Sequence, residues 1–169
     1  MMLEAFYPKE WLDSTYVIPW ETWYEKGIRG VIFDVDNTLV PHGLPADERA
    51  IALFERLHGM GMRTCLLSNN KEPRVASFAE QVDSLYIYKA AKPSVKNYLR
   101  AMELMKTDRP STLFVGDQLF TDVYGANRAG VYGILVKPIN PKEEIQIVLK
   151  RYLEAVVLYF YRKSYGQKK

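Results

Sequence analysis

One stretch of this chain, residues 30–40 with the sequence GVIFDVDNTLV, most narrowly limits the fold that it can adopt. Its first four residues are small, β-branched or aromatic, and such an unbroken run is typical of a strand buried on both faces of a parallel sheet. The run ends at Asp34, and Asp36 and Thr38 follow at alternate positions. Because open α/β sheets bind ligands at the carboxyl ends of their strands, this loop is a candidate site, although Asp and Asn are also common in ordinary turns.

The length and composition fit a single globular domain. The chain has 169 residues, of which 48% are hydrophobic and 25% charged, enough for a substantial core. Its one cysteine, Cys65, lies in an apolar run, which favours a buried small side chain over a nucleophile and excludes an intrachain disulfide. The first residues lack a basic segment before an apolar core, and no apolar run approaches the roughly 20 residues that span a bilayer, so we expect a cytoplasmic protein.

The charge is unevenly distributed, although its total of +3 is too small to indicate a nucleic-acid partner. Residues 1–28 hold five acidic and two basic residues and all three tryptophans, whereas residues 137–169 hold eight basic and three acidic residues. We expect the aromatic first segment to pack on the core, as a lid or as an interface in an oligomer. The expected organisation is this segment over residues 1–28, an α/β domain over residues 29–161 and a basic tail over residues 162–169.

Strand and helix patterns alternate along the rest of the chain. Further strands are predicted at residues 63–67, 85–88, 113–115 and 132–136, and helices at 47–58, 72–82, 94–105, around 125–129 and at 142–161. Ser94 is a candidate N-cap, and Gly130 a candidate helix stop. This alternation predicts a three-layer, Rossmann-like α/β fold, with a parallel sheet, right-handed crossovers and helices on both faces.

Four of the predicted strands are followed by polar residues that could carry chemistry. In chain order these residues are Asp34, Asp36, Ser68, Lys92, Asp117 and Asp122. Each alone has an ordinary explanation as a turn residue or a solvated charge. Since the carboxyl ends of parallel strands share one edge of a sheet, their common position predicts a single site.

The order of these residues resembles the haloacid dehalogenase (HAD) superfamily of phosphotransferases over about residues 29–136. The first motif of that family, D-x-D-x-T, is matched by Asp34, Asp36 and Thr38, and the second, a Ser or Thr ending the next strand, by Ser68. The sequence SNN at residues 68–70 and the short chain look most like the YqeG-type phosphatases of the capless subfamily IIIA. A related branch dephosphorylates phosphatidylglycerophosphate.

The third and fourth motifs of the family are also matched. The third is a lysine that often precedes proline, which corresponds to Lys92 rather than to Lys71 or Lys89. The fourth, G-D-x-x-x-x-D, has its acids at Asp117 and Asp122. The first and fourth motifs are specific, whereas the second and third gain their weight from their order along the chain.

The resemblance implies a phosphatase that works through an aspartyl phosphate. Asp34 is then the nucleophile, and Asp36 protonates the leaving oxygen and later deprotonates the attacking water. Thr38, Ser68 and Lys92 are expected to stabilise the transferring group by hydrogen bonds and charge.

The resemblance also implies Mg²⁺ as cofactor, because an anionic nucleophile that attacks an anionic phosphate needs a cation. The implied ligands are Asp34, Asp117 and the backbone carbonyl of Asp36. Asp122 either binds a metal-bound water or orients Lys92, and the sequence leaves both roles open.

The spacing of the motifs leaves no room for a cap domain, since the gaps before and after Ser68 are each about as long as one helical crossover. An open site excludes water poorly, so we expect a large phosphate ester or a covering subunit. The leading candidate is phosphatidylglycerophosphate at a membrane surface, which would make the protein peripheral there. A phosphoprotein or a soluble phosphate ester is the alternative.

The last predicted helix combines apolar residues at helical spacing with basic residues around and after them. We expect the apolar residues to pack on the sheet and the basic tail, including Lys168 and Lys169, to contact anionic lipid. The apolar residues are Ile145, Val148, Leu149, Tyr152, Val156, Tyr159 and Phe160.

Two other classes of protein share parts of this pattern. A receiver domain also places acids, a hydroxyl and a lysine on a parallel sheet, but its phosphorylated aspartate ends a later strand and its acidic pair is adjacent. A non-catalytic HAD-like scaffold would bind without turnover. Metal-dependent hydrolysis of an aryl phosphate separates the three.

Overall fold

A computed structural model describes residues 2–140 and 145–165 of the chain. Its strands are β1 (Glu10–Leu12), β2 (Gly30–Phe33), β3 (Arg63–Leu67), β4 (Leu85–Ile87), β5 (Thr112–Gly116) and β6 (Tyr132–Val136). They form one parallel sheet in the order β1-β6-β5-β2-β3-β4. The predicted strands are present, and β1 is an additional edge strand that the three residues of its sequence were too short to reveal.

The helices are α1 (Trp20–Glu25), α2 (Glu48–Gly59), α3 (Glu72–Val82), α4 (Val95–Met105), α5 (Tyr124–Ala129) and α6 (Ile145–Tyr165). Shorter turns are 3-10 helical at Met2–Phe6, Thr15–Val17 and Arg109–Ser111, and a π-helical turn spans Leu119–Val123. Ser94 occupies the predicted N-cap position of α4, but its side chain makes no capping hydrogen bond, and its amide closes a turn onto the carbonyl of Ala91 at 2.8 Å. Across the described residues, no helix is both long and apolar enough to cross a membrane.

Helices cover both faces of the sheet, which confirms the predicted three-layer α/β class. Successive side chains of β2 enter different cores, as a strand requires. Phe33 packs on the face that carries α2, with ring centroids 5.1 Å from Phe54. Ile32 packs on the opposite face among residues of α4 and α5, in the same cluster as Tyr98 and Ala126. The strand is therefore buried from both sides.

The aromatic N-terminal segment is part of this core. Trp20 is fully buried and its ring lies 5.8 Å from that of Phe33. The segment also contacts the loop after β2, since the Thr15 hydroxyl donates to the carbonyl of Thr38 at 2.8 Å. These contacts make the first residues a structural support for that loop.

The prediction for the last helix was wrong about which face meets the sheet. Val157 is 5% exposed and packs with Tyr7 and Leu135, while most of the residues expected in the core face solvent. The apolar side chains occur on both sides of α6, so helical spacing alone cannot select the buried side. The exposed residues are Leu149, Tyr152, Val156, Tyr159 and Phe160.

The ends of this region extend past the described residues. The side chains of Ile145 and Val148 lie outside them, as do residues 141–144 and the basic pair Lys168 and Lys169. Arg162 and Lys163, which were expected in a tail, belong to the last turns of α6.

Candidate active site

The candidate site lies at the point where β2 is flanked by β5 on one side and β3 on the other. Asp34 follows β2, Asp117 follows β5 and Ser68 follows β3. Phe33, the last residue of β2, is in register with Val115 of β5, which brings the loops after both strands side by side. All three polar residues are buried at this edge of the sheet.

Three carboxylates form the centre of the site. One oxygen each from Asp34, Asp117 and Asp122 lies within 4.8 Å of the other two. Asp122 comes from the π-helical turn after β5, and Gly116 lets it approach the strand end, because a Cβ at Gly116 would lie 2.6 Å from the Cβ of Asp122. The close approach of Asp122 therefore requires glycine at position 116.

Lys92 joins two of these carboxylates. Its Nζ donates to Asp34 Oδ1 and to Asp122 Oδ1, both at 2.7 Å, and its side chain is 3% exposed. Burial alone would lower the pKa of Lys92, but the two carboxylates outweigh it and raise the pKa, so the lysine is charged. Lys71 and Lys89, the alternatives for this role, are exposed.

The three carboxylates of the cluster repel one another, and the pKa values of two of them are raised. Burial raises the pKa of Asp117 well above its ordinary value, and Asp34 and Asp122 raise it further, whereas Arg151 lowers it. Burial also raises the pKa of Asp122 to about 6, against the opposing charge of Lys92. A divalent cation would relieve this repulsion, and a donor set of carboxylate oxygens fits Mg²⁺.

Asp36 lies beside this cluster and has different partners. Its carboxylate accepts from the amide of Gly43 at 2.8 Å, from Arg74 Nη2 at 2.9 Å and from Asn70 Nδ2 at 3.4 Å. Burial alone would raise the pKa of Asp36, but the Gly43 amide and the Arg74 guanidinium outweigh it and lower the pKa. Its side chain does not belong to the three-carboxylate cluster, so a ligand role rests on its backbone carbonyl alone.

Thr38 is buried between two of the clustered carboxylates. Its Oγ1 lies 3.1 Å from Asp34 Oδ2 and 3.0 Å from Asp117 Oδ1. A hydroxyl has one proton to donate, so it serves these acceptors in turn. This position suits the orientation of the two carboxylates better than the direct contact with the transferring group that the resemblance implies.

The same residues open onto a cavity of about 310 Å³ at the strand ends. Ser68 lies on its wall, where its Oγ accepts from the amide of Asn70 at 3.1 Å. A depression of about 680 Å³ at the opposite edge of the sheet contains none of the predicted site residues. The wall of the smaller cavity consists of Asp34, Asp36, Asn37, His42, Ser68, Asn69, Asn70, Lys92, Gln118 and Thr121.

Asp122 accepts hydrogen bonds at both of its oxygens. Oδ1 accepts from Lys92, and Oδ2 accepts from the amide of Gln118 at 3.0 Å. Of the two roles that the sequence leaves open, this geometry favours the orientation of Lys92.

Several contacts at the site involve residues that the sequence analysis did not select. Arg74 pairs with Asp36, and Nδ1 of the exposed His42 lies 4.0 Å from an oxygen of the same carboxylate. Arg151 and Glu154 reach the site from α6, outside the matched motifs. The available signal for the last two was an Arg and a Glu three residues apart on the last predicted helix, a spacing that pairs side chains.

The approach to the cavity carries no additional domain. Between β2 and β3 the chain forms a loop and α2, and between β3 and β4 it forms α3. All of these residues are described, so the predicted absence of a cap between Asp34 and Lys92 agrees with the structure.

Residues 42–130 match the family model of the haloacid dehalogenase-like hydrolases. The Bacillus subtilis (strain 168) protein named "Probable phosphatase YqeG" is 36% identical over 159 residues, which cover 94% of this chain and 92% of that protein. The Arabidopsis thaliana protein "Phosphatidylglycerophosphate phosphatase 1, chloroplastic/mitochondrial" is 30% identical over 154 residues, which cover 83% of this chain and 44% of that protein. The chain thus spans less than half the length of the plant relative.

Solved structures share the fold at low sequence identity. The cobalt-bound deoxy-D-mannose-octulosonate 8-phosphate phosphatase of Haemophilus influenzae matches with a TM-score of 0.52 at 16% identity, covering 67% of this chain and 80% of that chain. A Legionella pneumophila protein assigned to subfamily III A of the HAD hydrolases matches with a TM-score of 0.54 at 17% identity, covering 72% of this chain and 70% of that chain. At these identities the likeness concerns the fold.

Proposed function

This chain belongs to the haloacid dehalogenase-like hydrolases and is a phosphatase, and we propose that it hydrolyses phosphomonoesters through a phosphate ester of Asp34 with the help of Mg²⁺. The observation that carries the proposal is the position of Asp34. Its carboxylate lies on the cavity wall, with Lys92 at one oxygen and Thr38 at the other. An oriented carboxylate beside a buried cation is what nucleophilic attack on a phosphate requires.

The residues around Asp34 fit a magnesium ion. Asp34 and Asp117 would hold it, and the backbone carbonyl of Asp36 would complete the share of the protein. When bound, Mg²⁺ would neutralise charge on the phosphate oxygens. Asp122 then serves Lys92, and Thr38 keeps the two ligand carboxylates in place.

In the first step, a carboxylate oxygen of Asp34 forms a bond to phosphorus while the bond from phosphorus to the ester oxygen breaks. Because the Gly43 amide and Arg74 lower the pKa of Asp36 in the free site, its proton arrives with the substrate. Asp36 then gives this proton to the departing oxygen, so the products are an alcohol and the phosphorylated Asp34. In the second step, Asp36 takes a proton from water as the water oxygen attacks phosphorus, and phosphate leaves Asp34. Lys92 and Ser68 lie on the cavity wall, from which they would face the transferring group.

The proposed substrate is an anionic phospholipid with a terminal phosphate, for which phosphatidylglycerophosphate is the leading candidate. The name of the plant relative and the uncapped cavity support this choice. A lipid headgroup held at a membrane could cover an open site in place of a cap. We accordingly propose a cytoplasmic protein that works at a membrane surface. A phosphoprotein or a soluble ester is the alternative substrate.

The chemistry is tested by Asp34→Asn, with Asp13→Asn, an exposed carboxylate away from the site, as control. We expect Asp34→Asn to keep the fold but lose Mg²⁺-dependent hydrolysis of 4-nitrophenyl phosphate, while the control retains it. Acid quenching of the wild type during turnover should trap an acyl phosphate on residue 34. Full activity of Asp34→Asn would refute the mechanism, and no hydrolysis by the wild type would favour the scaffold alternative.

The substrate class is tested separately, by comparing phosphatidylglycerophosphate in mixed micelles with a phosphoserine peptide and a sugar phosphate. We expect the highest kcat/KM for the phospholipid. Fastest turnover of the sugar phosphate by a monomer would contradict the lipid assignment and leave the phosphatase chemistry intact.

A further inference from the structure

The outward side of α6 is apolar, although its side chains are largely exposed among the described residues. We call this surface the outer face of α6, and its side chains are between 42% and 72% exposed. The residues recur every three or four positions, so they form one stripe along the helix. A contiguous apolar stripe of this kind marks an interaction surface. The outer face consists of Leu149, Tyr152, Leu153, Val156, Tyr159 and Phe160.

The exposed charges of α6 are positive. Between Ile145 and Tyr165 the only acidic residue is Glu154, which is 5% exposed. It accepts from Arg151 at 3.0 Å and from the amide of Leu119 at 3.0 Å, so its charge is directed into the protein. Lys163 is exposed and lies four residues after Tyr159, on the same side of the helix. The outer face therefore offers apolar groups and a cation without an acid of α6.

We propose that the outer face of α6 docks on an anionic lipid surface. Apolar residues on one side of a helix enter the boundary between headgroups and acyl chains when the helix lies in the plane of the surface. The tyrosines suit this boundary because their rings are apolar and their hydroxyls reach water. Lys163 can extend its ammonium group to anionic headgroups while its methylene stem stays in the apolar layer.

A second copy of the chain is a poorer occupant. A two-fold interface would bring the same face of both copies together. Lys163 would then be enclosed in the interface without an acid of α6 to pair with it, which opposes association. An anionic surface supplies the negative charge that pairs with this lysine.

The same helix reaches the candidate site from its other side. Arg151 donates from Nη2 to Asp117 Oδ2 at 2.6 Å, so α6 contacts both the proposed lipid surface and the carboxylate cluster. Docking through α6 would hold the protein where a lipid phosphate is available. The proposal deepens the proposed function and rests on it for the substrate, but the binding surface can be tested without turnover.

Binding is measured by sedimentation with vesicles of phosphatidylcholine containing phosphatidylglycerol, and with vesicles of phosphatidylcholine alone. We expect the full chain to bind the anionic vesicles, and added salt to weaken binding. The variant Leu153→Gln/Val156→Gln/Phe160→Gln should bind at least about tenfold more weakly, because it removes the apolar groups that would enter the lipid. The matched control Val17→Gln/Leu104→Gln changes exposed apolar residues elsewhere and should bind like the wild type.

The charge contribution is tested with Lys163→Gln, for which Lys96→Gln is an exposed control on α4. Lys163→Gln should weaken binding to anionic vesicles by about fivefold, while the control should have a smaller effect. Equal effects of the two lysines would show attraction by net charge alone and would overturn docking through α6.

All variants are also assayed with 4-nitrophenyl phosphate and by sedimentation velocity. Unchanged hydrolysis of the soluble ester by the triple variant is expected, since its residues lie away from the cavity. Wild-type hydrolysis without vesicle binding would overturn the docking proposal alone, whereas binding without hydrolysis would overturn the proposed function alone. A wild-type dimer that the triple variant loses would identify the outer face as a self-interface and overturn the lipid assignment.

Discussion

Arg151 donates two hydrogen bonds to Asp117. Its Nη2 donates to Asp117 Oδ2 at 2.6 Å, and its Nη1 donates to the backbone carbonyl of Asp117 at 2.5 Å. Glu154, which accepts from Arg151, also accepts from the amide of Leu119 in the turn after β5. The last helix thus fixes the loop that carries a proposed Mg²⁺ ligand, although α6 lies outside the stretch that resembles the family.

Arg151→Gln should therefore weaken Mg²⁺ binding by about 10- to 100-fold, because Asp117 would lose the partner that orients it. Titration calorimetry measures this without turnover, and Arg151→Lys should recover part of the affinity. Arg162→Gln is the matched control, since this cation of the same helix lies over the Trp11 ring, 4.5 Å from its centroid. Unchanged metal affinity in Arg151→Gln would limit the role of the arginine to packing.

The proton-transfer role of Asp36 predicts a dependence on the leaving group. Asp36→Ala should slow hydrolysis of an alkyl phosphate by about 10²- to 10⁴-fold, since a poor leaving group needs protonation. Hydrolysis of 4-nitrophenyl phosphate, whose leaving group is a weaker base, should fall much less. The ratio of the two kcat/KM values is the measurement, and an equal loss for both substrates would contradict the assignment.

The sequence predicts the sheet well because most of the predicted strands contain a short apolar run, and buried parallel strands require such runs on both faces. It also predicts which residues lie together at the candidate site, since Asp34, Ser68 and Asp117 each follow a strand directly. Strand order along one edge then brings them together without any knowledge of side-chain contacts.

The face of α6 could not be predicted in the same way. Val156 and Val157 are adjacent and equally apolar, yet Val156 is 54% exposed and Val157 is 5% exposed. Only the docking of the helix against Tyr7 and Leu135 distinguishes them. The same long-range docking brings Arg151 to Asp117, so neither contact is encoded in local spacing.

The burial of Cys65 predicts that the protein loses stability at alkaline pH. Burial raises the pKa of its thiol to about 12, so the folded protein keeps the proton above pH 9 while the unfolded chain releases it. Stability from this group is fully present below the ordinary thiol pKa and is lost as the pH rises above it. The urea midpoint of the wild type should thus fall more between pH 7 and pH 10 than that of Cys65→Ala. Parallel shifts in both proteins would contradict the burial of the thiol.

Among the changes considered, we expect one in the N-terminal segment, at Trp20, to lower stability most. We propose that residues 1–28 fold together with the α/β domain, because Trp20 is fully buried beside Phe33. Trp20→Ala should lower the free energy of unfolding by about 3–5 kcal/mol, as expected when a large aromatic side chain leaves a cavity.

Trp20→Phe is the matched variant for this prediction. The indole N–H of Trp20 is buried and makes no hydrogen bond within the described residues, so phenylalanine removes volume without breaking one. Trp20→Phe should therefore cost less than Trp20→Ala, and Val17→Ala, at a residue 59% exposed, should cost least. Urea unfolding followed by circular dichroism gives all three values. If Trp20→Ala unfolded at the same urea concentration as the wild type, the segment would be separate from the cooperative core, and the support that it gives to the loop of Thr38 would have no energetic basis.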